Sequence, residues 1–157
     1  MATPQPGQQF DLQVRRTFRA PREKVFAAWT RREYLAQWMC KATPQHHAEY
    51  LEHELRPGGR YRIKNIVPSG DTLMVYGEYR EIRPLEKVSF TWSCDRTTAA
   101  GGNTVNETGE TLVTVEFFER GKSTEVVLTH TGFTSADMRA RHEHGWNGCF
   151  DMLAGVL

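Results

Sequence analysis

The segment from Thr134 to Leu157 constrains this chain most. Met138, His142, Gly145 with Trp146, Cys149, Leu153 and Val156 recur at intervals of three and four, so a long helix carries one continuous apolar face. A stripe of that length has to be covered, and the alternating segments upstream are the available cover. Thr134 or Ser135 can cap the helix, and Asp137 suits its positive end. Gly145, Gly148 and Gly155 each cost roughly 1 kcal/mol against alanine inside a helix. For Gly145 the reason on offer is close approach to another element, which would press Trp146 into whatever lies beneath.

Upstream, Phe10, Leu12 and Val14 alternate with Asp11, Gln13 and Arg15, the period-two signature of a half-buried strand running to Phe18. Pro21 stands at the first position of a helix that carries Val25, Phe26 and Trp29. Thr30-Arg31-Arg32-Glu33 has the form of a capping box and predicts a second short helix that turns Tyr34, Leu35 and Trp38 inward. From His46 onward the texture is that of strands, over 60–66, 72–82, 87–94, 110–119 and 123–131. Turns at 56–59, 68–71, 83–86 and 120–122 join them closely enough to make the strands antiparallel neighbours. Asp95 to Thr108 reads as the one long loop, low in apolar residues and a candidate lid. The expectation is an α+β fold with an antiparallel sheet of about six to seven strands, a long C-terminal helix and two short helices after strand one. It forms one domain over 10–157 behind a disordered tail at 1–9.

Composition narrows the partners. Apolar residues make up 39% of the 157, enough for a real core, and 20 basic residues against 19 acidic leave no charge footprint for nucleic acid or an anionic membrane. Cys40, Cys94 and Cys149 are odd in number and free of any CxxC pairing, so they read as reduced thiols. The first nine residues lack the basic start and apolar stretch of a signal peptide, and no window approaches a membrane span. A cytoplasmic location is expected.

Several pieces then form a pattern. Val14-Arg15-Arg16-Thr17-Phe18 with Ala20-Pro21, Val25 to Thr30, Tyr34 to Trp38, Arg56 to Arg60, Gly77-Glu78-Tyr79, Pro84 to Trp92, Thr124 to His130 and His142-x-x-Gly145-Trp146 follow in order. Together they resemble the homologues of the activator of the heat-shock protein (Hsp) ATPase, over nearly the whole chain from Phe10. The resemblance implies the START-like, or SRPBCC, helix-grip fold, in which a long C-terminal helix closes a cavity formed by a curved sheet and two small helices. It also implies a link to stress response. The eukaryotic activator is matched over its C-terminal portion alone, and its N-terminal domain has no counterpart here.

Strand parity and that fold nominate the side chains that would line such a cavity: Trp29, Trp38, Tyr61, Ile63, Tyr76, Phe90, Trp92, Phe117, His130, Met138, His142, Trp146 and Phe150. The alternative is that they fill an ordinary core. His130 ends an inward alternation and is either a structural hydrogen-bonding group or a proton-moving one. Arg60 reads as a salt-bridge partner of Glu78 rather than a carboxylate ligand. Of Tyr76, Glu78 and Tyr79, one parity must face solvent. No metal or cofactor is expected: His142 and His144 stand two apart on a helix, the thiols lack ligand spacing, and no nucleophile elbow, phosphate loop or HExxH pattern occurs. The leading reading is a binder of a small hydrophobic or amphipathic molecule in an internal cavity. A cyclase- or hydrolase-type enzyme in the same cavity and a co-chaperone-like regulator of the Hsp ATPase are the alternatives. A homodimer is compatible with all three.

Overall fold

In the computed structural model, which describes residues 10–157, the alternating segments form eight strands. They are β1 (Phe10–Phe18), β2 (His47–His53), β3 (Arg60–Ile66), β4 (Thr72–Arg83), β5 (Lys87–Thr97), β6 (Thr104–Asn106), β7 (Thr111–Arg120) and β8 (Ser123–Phe133). Three helices accompany them: α1 (Arg22–Thr30), α2 (Arg32–Trp38) and α3 (Ala136–Val156). The expected tail at 1–9 lies outside the described residues.

The sheet is antiparallel throughout and runs β1-β8-β7-β5-β4-β3-β2, with β6 paired to β5 off that path. The α+β helix-grip architecture is therefore present: a curved sheet, a long C-terminal helix on its concave face and two short helices after strand one. Alternation does the sorting. Val113, Val115 and Phe117 of β7 are buried, and they stand opposite His130, Leu128 and Val126 of β8. Each such apolar side chain contributes about 1.5–3 kcal/mol by leaving water. Trp38 donates its indole N–H to the Ala28 carbonyl at 2.9 Å, which locks α2 against α1.

Local signals misread the helix starts. Pro21 is the N-cap of α1 rather than its first helical residue. Thr30 is the last residue of α1, and its hydroxyl donates back to the Phe26 carbonyl at 2.8 Å. The capping box therefore does not form; Arg31 precedes α2 with no side-chain cap. Tyr34, expected inside, is 40% exposed, whereas Leu35 and Trp38 are buried as expected.

The expected lid at 95–108 is mostly a hairpin. β5 runs on to Thr97 and pairs with β6, so that Asp95, Arg96 and Thr97 face Asn106, Val105 and Thr104. Polar contacts order it: Asn106 Nδ2 donates to Asp95 Oδ1 at 2.7 Å, and Arg96 bonds Glu107 at 2.5 Å and Asp71 at 2.9 Å. Because the segment is held by these bonds rather than by apolar burial, composition did not reveal it.

The helix α3 begins as expected, with the Ser135 hydroxyl accepting from the Met138 N–H at 3.3 Å. It packs chiefly on β1 and α2. The glycine in close approach is Gly148, not Gly145. A Cβ at Gly148 would stand 2.6 Å from the Ala42 carbonyl oxygen, whereas one at Gly145 would meet nothing within 4 Å. Urea unfolding should separate the two. Gly145→Ala is expected to stabilise by up to about 1 kcal/mol through helix propensity. Gly148→Ala is expected to destabilise by about 1–3 kcal/mol, because the added methyl meets backbone.

Candidate functional site

Between α3, the turn after α2 and the inner face of β3, β4 and β5 lies a cleft of about 490 Å³. Trp92 of β5 and Trp146 of α3 meet in it at 5.1 Å between ring centroids. Val67, Leu73, Val75 and Met138 extend its apolar wall. Arg96, Glu107, Arg141 and His144 supply its charged or polar edge.

A chain of hydrogen bonds anchors α3 beside this cleft and fixes two histidine tautomers. The His142 ring donates Nδ1–H to the Met138 carbonyl at 2.9 Å, and its Nε2 accepts from the Trp92 indole N–H at 3.3 Å. The Trp92 carbonyl accepts from the Thr111 hydroxyl at 2.7 Å. Having spent its proton there, the Thr111 oxygen accepts from His130 Nε2–H at 2.7 Å, and His130 Nδ1 accepts from the Trp146 indole N–H at 3.1 Å. Every ring nitrogen of Trp92, His130, His142 and Trp146 has a partner. Burial, aided by the nearby His142 ring, pushes the His130 pKa down to about 2, and burial also lowers that of His142. Both rings are neutral hydrogen-bonding groups.

The structure divides the thirteen nominated residues. Trp92, Met138, His142 and Trp146 line the cleft. Trp29, Tyr61, Ile63 and Phe90 surround a void of about 10 Å³ deeper in the core, which Trp92 also borders. Trp38, Phe117, His130 and Phe150 are packed core, each 2% exposed or less. Tyr61 donates its hydroxyl to the Thr91 carbonyl at 2.5 Å and is thereby occupied. Tyr76 has the parity opposite to buried Val75 and Tyr79, and its hydroxyl reaches Asp95 at 3.4 Å, away from the cleft. Arg60 and Glu78 stand opposite in register, yet among the described residues no ion pair joins them; the Arg60 N–H donates to Glu54 Oε1 at 3.3 Å. His142 and His144, expected on nearly opposite sides, both border the cleft.

Other cleft residues were missed. Asn65 continues the inward parity of Tyr61 and Ile63, and Cys94 that of Phe90 and Trp92, so both were legible by counting in twos. Cys40, Cys94 and Cys149 all line the cleft, although the first and the last lie 109 positions apart. They are free and buried. Burial pushes the Cys94 and Cys149 thiols up to about 12 and Cys40 well above its ordinary value, so all three are protonated and poorly nucleophilic.

Residues 19–157 match the family described as activator of Hsp90 ATPase homolog 1-like protein. The chain belongs to that family. The Hsp90-activator-like fold recurs in solved structures. A protein from Chromobacterium violaceum is similar at 24% identity and a TM-score of 0.79, covering 93% of this chain and 95% of its own. One from Rhizobium loti shows 20% identity, TM-score 0.78 and coverage of 96% and 98%. The AHSA1 protein from Silicibacter pomeroyi shows 22% identity, TM-score 0.76 and coverage of 93% and 96%. At these identities the likeness establishes the fold alone. No curated protein matches the chain.

Proposed function

We propose that this member of the Hsp90-activator-like family binds a small apolar or amphipathic molecule in the cleft between α3 and β3–β5. The observation that carries the reading is the cleft itself. Its 490 Å³ falls within the roughly 300–1,000 Å³ of small-molecule sites, and Trp92 and Trp146 offer it large apolar surfaces. Asn65, His142 and Arg96 are among the polar side chains that line it and can orient a ligand. An enzyme using His130 as its proton carrier finds less support, since that ring lies outside the cleft lining with both nitrogens engaged. Regulation of a chaperone ATPase would act through the outer surface and leave the cleft without a use. Three free thiols fit a reducing compartment, and the cytoplasm is part of the same proposal.

Among the described residues no helix is long and apolar enough to cross a membrane. Non-denaturing mass spectrometry of the purified chain is expected to show a discrete mass excess that disappears on denaturation. The chain mass alone in both spectra, with unchanged Trp emission on adding 1-naphthol, contradicts the proposal.

A further inference from the structure

Glycine weakens a helix interior, and at Gly148 the close approach of Ala42 accounts for its presence. Gly145 has no such neighbour. It lines the cleft, yet a Cβ built there would meet nothing within 4 Å. A helical side chain leans toward the N-terminus and covers the turn before its own, so the space left at Gly145 lies over the turn that carries Arg141 and His142. The cleft is thereby kept open between Arg141 and the Trp146 ring, both of which line it.

The charge around that space is one-sided. Arg96, Arg141 and three histidines, His46, His142 and His144, line the cleft against a single acid, Glu107. The whole chain, by contrast, sets 20 basic residues against 19 acidic ones. On the sheet wall Arg96 is held by both Glu107 and Asp71, so a further anion there would face two carboxylates. On the helix wall Arg141 is exposed and enters no ion pair among the described residues. The nine residues before Phe10 contain no acidic side chain to supply one. His142 has both ring nitrogens engaged, by Met138 and Trp92, and His46 bonds the Thr43 hydroxyl through Nδ1 at 2.9 Å. His144, three residues beyond Arg141, adds no opposing charge. The Arg141 guanidinium is the group left to receive an anionic head, and its planar fork matches a carboxylate.

We infer that the cleft selects amphipathic carboxylates: Arg141 receives the carboxylate at the rim, the gap at Gly145 admits the body behind it, and Trp92 and Trp146 cover that body. The inference rests on the ligand-binding reading above and fixes the head group which that reading leaves open. An ammonium head would meet Arg141 with like charge, and a neutral head would forgo the ion pair.

Calorimetric titration of the full chain with 1-naphthoate, 1-naphthamide and 1-naphthylmethylammonium tests it, since the three share one ring system and differ in charge. At low salt the unmutated protein is expected to bind 1-naphthoate about fivefold more tightly than the amide, the upper end of what an exposed ion pair contributes, and the ammonium least tightly. Arg141→Gln should bring 1-naphthoate to within about twofold of the amide without weakening the amide. Lys122→Gln, in the β7–β8 turn, makes the same change in net charge away from the cleft and should keep the preference. Gly145→Leu should weaken all three ligands by about tenfold or more, because its side chain fills the gap. Equal affinities for 1-naphthoate and the amide, or tighter binding of the ammonium, overturn the inference and leave the binding role of the cleft intact. So do a preference that survives in Arg141→Gln, an equal loss of it in Lys122→Gln, and unchanged affinities in Gly145→Leu. Absence of binding by all three probes overturns both readings. The first comparison needs no variant, so a poorly folding substitution would not protect the idea.

Discussion

Replacing Trp146 with alanine is expected to lower the free energy of unfolding by about 3–5 kcal/mol, the range for truncating a buried tryptophan. Trp146 is 3% exposed and lies between the stacked Trp29 ring, at 6.2 Å, and Trp92, at 5.1 Å. Its loss opens the floor of the cleft and also removes the donor to His130 Nδ1. Trp146→Phe separates these effects. It keeps most of the ring contact but leaves a buried nitrogen unpaired, and should cost about 1–3 kcal/mol. Urea unfolding of the three proteins measures both steps. Equal stability of the phenylalanine variant and the parent would mean that the hydrogen-bond chain contributes nothing net.

Acidification should destabilise the protein well before its carboxylates titrate. In the unfolded chain His130 takes a proton near pH 6.5, whereas in the fold burial holds it neutral down to about pH 2. The unfolded state therefore binds more protons throughout that interval. Stability is complete above pH 6.5 and falls by about 1.4 kcal/mol per pH unit below it, or about 2 kcal/mol by pH 5, from His130 alone. His142, His53 and His46 also have lowered values, with burial the leading cause for each, and they act in the same direction. Denaturant unfolding between pH 7.5 and 5.0 reads the slope. A flat profile would contradict the neutral, buried His130, and H130Q should reduce the slope by about one proton.

These two effects share an origin that period counting captured in part. Alternation along β8 placed His130 inward, and the stripe on α3 placed Trp146 inward, because a half-buried element sorts its side chains by period alone. Neither pattern could say that the two would bond each other, since that distance is set by how α3 lies on the sheet. The same limit applies to Tyr76, whose side of the strand depends on the register of β4 against β5, and to the capping box at Thr30, where a local bond to Phe26 prevailed.

What the sequence by itself determined is most of the elements, the antiparallel pairing of strands joined by short turns and the family, together with most of the inward faces; β6 and the placing of β1 beside β8 were not among them. Periodicity, turn residues and the ordered motifs are local quantities, and they survive being read one segment at a time. The tertiary structure decided which inward aromatics became solid core and which became cleft wall. It gathered Cys40, Cys94 and Cys149 around one space, made Gly148 the point of contact with Ala42, and left the Asn65 oxygen without a partner. Those facts depend on the separation of α3 from β3–β5, a distance that no single segment encodes.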